Sequence, residues 1–324
     1  MARVLDGKMR SYVGRLAPSP TGALHLGNVR TFMIAWLRAR SLGGKVILRM
    51  EDLDHPKDKP GAAHQALEDL KWLGFDWDEE FVQSTRRNVY REALELLKEK
   101  GLVYPCVCSR KDVESAQSAP HEGEQLYYPG ICRGRFKTWA EAFAAKGASP
   151  CWRFRVEPDT ILAFDDVFAG HFEQDVSKVL GDFPLARDEF GAGYTLACTV
   201  DDLLMGVTEV VRGDDLLSVT PAQILLAKSL LTCNLKARQL GSCSLSLPTY
   251  CHVPLVVGRD GKRLAKRHGD TRIATFREQG QQPEEIIGVL AASCGWVEKD
   301  EPISLSNLIE RFDLAPIPRA PFMI

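Results

Sequence analysis

The stretch Arg15-Leu16-Ala17-Pro18-Ser19-Pro20-Thr21-Gly22-Ala23-Leu24-His25-Leu26-Gly27-Asn28 runs from the end of a strand, through a Pro/Gly turn, into a helix. Tyr12 and Val13 read as part of the short strand, and from Val29 to Leu42 apolar residues recur at helical spacing. The helix therefore begins at His25. Free backbone N–H groups and the positive end of the helix dipole suit a triphosphate there, and Gly27 has no side chain to keep an adenine ring from the backbone. His25 and Asn28 add donors for phosphate oxygens, with Ser19 in the preceding loop, so Ser19, His25, Gly27 and Asn28 are candidate ATP-binding residues. Far downstream lies a Gly-flanked basic loop, Gly261-Lys262-Arg263-Leu264-Ala265-Lys266-Arg267-His268-Gly269-Asp270. Gly258, Gly261 and Gly269 suit a lid that closes on ATP. Lys266, assisted by Arg263, is a candidate for stabilising charge on the triphosphate.

Outward from this turn, strand and helix signals alternate from Tyr12 to Gly101, which predicts a doubly wound parallel α/β sheet. The chain divides into a first half of the nucleotide-binding domain over 1–104, a mixed insertion over 105–182, a second half over 183–257, and a basic loop with helical segments over 258–324. The insertion should contain a helix around Trp139 to Ala145 and a strand from Trp152 to Val156; later helices are expected at Pro221 to Leu231, Pro283 to Cys294 and Leu305 to Phe312. With 324 residues, 45% of them hydrophobic, there is material for a large core. A net charge of −2 gives no global signature for nucleic acid, so any RNA contact must be local. Arg133, Arg135 and Lys137, with Arg110 and Lys111, form the nearest basic cluster. The sequence carries no apolar run long enough to span a bilayer and no cleavable signal pattern, so no membrane association, a cytoplasmic location and a monomer are expected.

Nine cysteines are an odd count, which in a reducing compartment argues for thiols and metal rather than disulfides. Cys106-Val107-Cys108 can converge on a turn, and Cys132 follows after a loop containing His121, Tyr127 and Tyr128. His121 is a fourth ligand on coordination chemistry alone; the alternative is that Cys106 and Cys108 are simply core thiols. Elsewhere, Arg15, Glu51 and Arg212 each end a predicted strand, where open α/β sheets bind ligands. Two arginines and one carboxylate are complementary to a small ligand that carries carboxylates and an ammonium.

These motifs together resemble the class I aminoacyl-tRNA synthetases: His25 to Asn28 stands where the family has its HIGH signature, and Arg263 to Arg267 where it has KMSKS. The stretches Arg15 to Gly22, Arg49-Met50-Glu51-Asp52-Leu53-Asp54, Val200-Asp201-Asp202 and Val211-Arg212-Gly213-Asp214-Asp215 resemble the glutamyl branch. The resemblance implies a Rossmann-like catalytic domain, ATP with Mg²⁺, and glutamate held by Arg15, Ser19, Glu51, Tyr194 and Arg212. The stretch after Asp270 is too short for an anticodon-binding domain, so a short helical stem-contact region is expected instead. This chain is similar to the truncated glutamyl paralogues that place glutamate on queuosine in aspartate tRNA. That family implies a structural zinc on Cys106, Cys108, Tyr128 and Cys132. Cys198 stands where ordinary glutamyl enzymes have asparagine, and Arg263 and Ala265 replace the first lysine and the serine of KMSKS. A truncated enzyme charging the tRNA 3′ end, a regulatory paralogue without catalysis and a small-molecule nucleotidyltransferase are the competing readings.

Overall fold

Val13–Leu16 forms β1, which leads through the Pro/Gly turn into α1 (Leu26–Ser41), β2 (Lys45–Met50), α2 (Ala62–Trp72), β3 (Glu79–Val82) and α3 (Arg87–Glu99). The structure is a computed structural model describing residues 11–53, 59–115, 127–147, 149–189, 191–235, 245–262, 264 and 270–324. β1 pairs in parallel with β2, and β2 in parallel with β3. An insertion follows: β4 (Val103–Cys106), α4 (Arg110–Ser115), α5 (Trp139–Lys146), β5 (Cys151–Phe154), the hairpin β6 (Ile161–Asp166) and β7 (Gly170–Asp175), α6 (Val176–Val179) and β8 (Pro184–Ala186). β4, β5 and β8 make a small antiparallel sheet.

The chain then returns through α7 (Tyr194–Leu204), β9 (Glu209–Gly213), α8 (Thr220–Thr232), β10 (Thr249–Val253) and β11 (Val256–Val257). β9 and β10 are parallel. β9 lies along the other edge of β1, where Thr208 N–H donates to the Val13 carbonyl at 2.9 Å and Thr208 Oγ1 accepts from Val13 N–H at 2.9 Å. The strands thus run in the order β3, β2, β1, β9, β10. The direction of winding reverses between β1 and β9, and that reversal opens a crevice at their carboxyl ends.

Period-two alternation sorts the strand residues between two faces. Leu16, Val46, Leu48, Met50, Val211, Cys251 and Val253 join the core that holds α1, whereas Val210 and Tyr250 join the core holding α3, α7 and α8. A sheet covered on both faces is expected to be apolar throughout. Here the second face instead carries Arg15, Arg49, Arg212 and His252, all buried.

After the basic loop come α9 (Ile273–Glu278), α10 (Pro283–Ala292) and β12 (Phe322–Met323). α10 begins on a Gln282/Glu285 capping box with proline in its first turn. Its Ile286, Ile287, Leu290 and Ala291 share the α1 core, and β12 returns to pair with β11. Two expectations need correction. The strand predicted through Val156 ends at Phe154, and the helix expected at Leu305 to Phe312 is a 3₁₀ turn, Ser306–Arg311. Leu305 and Leu308 are buried three residues apart, the spacing that eclipses in a 3₁₀ turn, while Ser304 Oγ accepts from Asn307 N–H at 3.3 Å. Among the described residues no helix is long and apolar enough to cross a membrane.

Leu16 is wholly buried on β1, the strand both halves share. Leu16→Ala should lower stability by about 2–5 kcal/mol, read as a fall in the urea midpoint at unchanged slope.

Candidate active site

A cleft of about 560 Å³ opens over the carboxyl ends of β1 and β9. Its lining includes Arg15, Ser19, His25, Gly27, Asn28, Glu51, Tyr194 and Arg212, so the residues picked out on either side of the insertion meet in one place. His25 is the N-cap of α1: its Nδ1 accepts from Gly27 N–H at 3.1 Å, and Asn28 Oδ1 accepts from His25 N–H at 3.2 Å. The two polar side chains of the turn are thus engaged with the helix cap. A Cβ on Gly27 would sit 3.0 Å from the His25 ring and 3.6 Å from Leu264, so the glycine keeps this corner open. The backbone leaving the basic loop is stitched to the same turn, with Leu26 N–H donating to Thr271 O at 3.1 Å and Ile273 N–H to Leu24 O at 3.0 Å. Arg263 and Lys266 lie outside the described residues, as do Asp54 and His121.

Across the cleft, charge is held by an interior network. Arg49, wholly buried, donates to Glu51 Oε1 through Nη2 at 2.9 Å and Nε at 3.2 Å, and to Asp202 Oδ1 through Nη1 at 2.6 Å. Arg15 Nη1 donates to Val211 O at 2.8 Å, and its Nε lies 3.7 Å from Asp202 with no hydrogen-bond partner. Beside it Asp201 accepts from Arg86 at 2.8 Å, Tyr90 at 2.8 Å and Gln83 at 3.1 Å. Three acidic groups crowding Arg49 raise its pKa well above the guanidinium value against the cost of burial. Cys198 Sγ donates to Glu51 Oε1 at 3.2 Å, and burial, then the Glu51 charge, push that thiol well up. A neutral thiol bound to a carboxylate is no nucleophile. Tyr194, the first residue of α7, remains 44% exposed on the cleft wall.

The cysteine cluster forms a separate centre. The sulfur atoms of Cys106, Cys108 and Cys132 all lie within 4.8 Å of one another. Tyr128 Oη sits 3.2 Å from Cys106 Sγ and 3.8 Å from Cys108 Sγ, and it accepts from Cys132 N–H at 2.8 Å. Tyr128 is fixed by its N–H bond to Leu180 O, and its carbonyl packs so tightly on Gly181 (φ 61°) that a Cβ there would lie 2.1 Å away. A hydrogen bond from Cys151 first, then one from Tyr128 and the Arg153 cation, pull the Cys106 thiol below its ordinary range despite burial. Three clustered thiols, one of them acidified, can hold a soft metal ion.

The family model for "tRNA synthetases class I (E and Q), catalytic domain" matches residues 12–317. A glutamyl-Q tRNA(Asp) synthetase of Symbiobacterium thermophilum is 45% identical over 96% of this chain and 95% of its own. The chain belongs to the glutamyl-Q tRNA(Asp) synthetase family. The glutamate–tRNA ligase of Aquifex aeolicus is 36% identical over 95% of this chain but only 63% of its own. In three dimensions, a glutamate tRNA ligase from Elizabethkingia meningosepticum, solved in complex with its amino acid, superposes with TM-score 0.78 at 26% identity, over 97% of this chain and 67% of that one.

Within this family member the basic cluster beside the cysteines is not uniformly available to an RNA. Arg133 is bound to Asp182, whose side chain is fully buried and also accepts from Tyr104 and from Val156 N–H. A buried carboxylate needs a cation, and Arg133 is the one it has. Arg110 pairs with Glu114 at 2.8 Å on the exposed face of α4, while Arg135 lies over the Phe136 ring at 5.1 Å. Sequence reasoning assigned no role to Arg49, Asp202, His252 or Asp166. Arg49 and Asp202 stood within stretches already singled out; His252 was one polar residue in an apolar strand, with nothing to distinguish it.

Arg49→Met would leave the buried Asp202 and the half-buried Glu51 without their shared cation. It should cost about 3–5 kcal/mol in urea unfolding, and the surviving folded protein should need more glutamate for half-maximal turnover. Unchanged values of both would show that Arg49 is dispensable to the network.

Proposed function

We propose that this chain uses ATP to activate L-glutamate as glutamyl-adenylate and transfers the glutamyl group to queuosine in aspartate tRNA. The observation that carries this reading is the meeting of two buried arginines, Arg15 and Arg212, and one carboxylate, Glu51, in the same cleft as the N-terminus of α1. Glutamate presents two carboxylates and one ammonium. Arg15 and Arg212 are its carboxylate partners, Glu51 its ammonium partner, and Tyr194 a wall and hydrogen-bond donor; Ser19 flanks the pocket.

ATP lies along the α1 N-terminus, its adenine against Gly27 and its phosphates near His25 and Asn28, with Mg²⁺ accompanying the nucleotide. A glutamate carboxylate oxygen attacks the α-phosphorus, the bond to pyrophosphate breaks, and Lys266 with Arg263 offsets the charge that builds on the leaving group. The acceptor hydroxyl then attacks the glutamyl carbonyl and AMP departs, the hydroxyl proton passing to solvent. No side chain becomes covalent. Orientation and fixed charge supply the rate, which is why a buried and internally paired charge network suits the task. For the queuosine-directed reaction the acceptor is the cyclopentenediol of the base, so the anticodon loop itself approaches the cleft.

Zinc is the metal that the cysteine cluster fits, with Cys106, Cys108, Cys132 and Tyr128 as its ligands. Its contribution would be structural, since these residues join the end of β4 to the 128–132 turn, where the described residues form a cluster of seven buried side chains that includes Cys106, Tyr128 and Cys132 themselves.

Labelled glutamate with ATP should pass to tRNA from cells that make queuosine and not to tRNA from otherwise identical cells that lack it. Equal label on both would instead assign ordinary charging of the 3′ end. For the metal, elemental analysis should find about one zinc per chain, lost in Cys108→Ser together with several degrees of thermal stability. Full retention of zinc in a Cys108→Ser/Cys132→Ser double variant would place the metal elsewhere.

A further inference from the structure

Arg212 on β9 stands in register with His252 on β10, and the two side chains meet on the face of the sheet opposite α1. Arg212 Nε donates to His252 Nε2 at 3.0 Å, and Arg212 Nη2 donates to Thr220 Oγ1 at 2.7 Å. Thr220 Oγ1 donates to Leu216 O at 2.9 Å and lies 3.0 Å from His252 Nε2. A guanidinium has only donors, so the lone pair must lie on His252 Nε2 and the imidazole proton on Nδ1. Nδ1 in turn lies 2.6 Å from Asp166 Oδ2.

Asp166 is itself held from three sides. Phe168 and Ala169 N–H donate to its Oδ1 at 3.0 and 2.8 Å, and His252 N–H donates at 3.0 Å. Val167 N–H reaches Tyr250 O at 2.8 Å and pins the β6–β7 turn to β10. The side chains of Asp166 and His252 are fully buried, Tyr250 lies parallel to the imidazole at 6.1 Å, and Thr220 is wholly buried. Burial holds the imidazole pKa below its usual value, with the Arg212 charge adding to that effect and the Asp166 hydrogen bond opposing it.

We propose that Asp166, by fixing the Nδ1–H tautomer of His252, orients the Arg212 guanidinium for a substrate carboxylate, so that Asp166 and His252 are positioning residues of the glutamate pocket. This rests on the reading of Arg212 as a carboxylate partner. Two of its five N–H groups are committed to His252 and Thr220, which fixes the plane of the fork while Arg212 still lines the cleft. The anchor of the chain lies in the insertion, 46 residues before Arg212 in sequence. A hydrogen-bond chain of this kind controls tautomer without exchanging charge.

The decisive variant is Asp166→Asn, which keeps size and backbone acceptor but turns an amide N–H toward Nδ1. The imidazole must then carry its proton on Nε2, where it opposes the Arg212 N–H. In glutamate-dependent pyrophosphate exchange, KM for glutamate should rise about tenfold or more, the loss of one charge-assisted hydrogen bond, with KM for ATP and the saturated rate nearly unchanged. His252→Gln keeps an acceptor toward Arg212 and has no tautomer, so adding Asp166→Asn to it should produce little further change. Nitrogen-15 spectra should show His252 as the neutral Nδ1–H form in the wild-type protein, whether or not any variant folds. An Nε2–H or charged His252 there, a glutamate KM unmoved by Asp166→Asn, or additive effects in the double variant would overturn the proposal. Arg212→Gln separates the two claims: if it leaves the glutamate KM unchanged, the pocket reading fails whatever the tautomer.

Discussion

A sheet covered on both faces has no outlet to water, yet this one buries the Arg49 guanidinium at its centre, and the site depends on how that charge is met. Arg49 reaches Glu51, the residue just past the end of its own strand, and Asp202 on α7, residues separated by about 150 positions of chain that include the whole insertion. Leaving one of these groups alone in the interior would cost several kcal/mol, so β2 and α7 are constrained to keep the same spacing. That spacing also fixes Glu51 and, through Asp202, the side chain of Arg15. The two halves of the catalytic fold are therefore joined by the same charges that set its cleft, and positional accuracy at the cleft follows from a constraint on folding.

The strand period explains why such charges can gather without dissolving the core. On the α1 face the buried positions of β1, β2, β9 and β10 are apolar except Glu209, which is paired with Arg38 of α1 and accepts from Tyr12, and the α10 helix completes this core. The opposite face is apolar toward the amino ends of β9 and β10, where Val210 and Tyr250 pack, and polar toward the carboxyl ends, where Arg212 and His252 stand. Hydrophobic burial thus secures most of one face and part of the other, leaving the carboxyl end of the second face for groups that must be paired individually. This is also the end onto which the α1 N-terminus opens.

How much of this could be read in the sequence follows from range. The strand–turn–helix around His25 was legible because its signals, a glycine-bearing turn and a helical repeat, lie within about 30 residues and act locally. Arg15, Glu51 and Arg212 could be singled out because each stands at the carboxyl end of a strand signal, where open α/β sheets bind ligands, and the structure brings them to one cleft. The cysteine spacing was legible as well, and the three thiols do converge. What escaped were pairings made across long separations: Asp166 with His252, Arg49 with Asp202, and Arg133 with Asp182. No local pattern distinguishes an arginine that will neutralise a buried carboxylate from one that will stay solvated. The Leu305 segment was misjudged for a different reason, because apolar residues three apart satisfy a 3₁₀ turn as well as an α-helix over so short a span.

Cys198 shows how the network limits what substitution can do. Its position faces Glu51, the proposed ammonium partner, and the thiol donates one weak hydrogen bond to the oxygen that Arg49 already holds twice. An asparagine at that position would bring a stronger donor and an additional acceptor into the same space. With cysteine, Oε1 of Glu51 is satisfied from within the protein and the carboxylate is fixed by Arg49 rather than by its neighbour on α7. Glu51 is then held in place by Arg49 from within the protein, and the thiol offers the cleft fewer polar contacts than an amide would. On the proposed reading of the pocket, affinity for the amino acid would then come from Arg15, Arg212 and Tyr194, and the orientation of those few groups, more than their number, would set selection of the substrate.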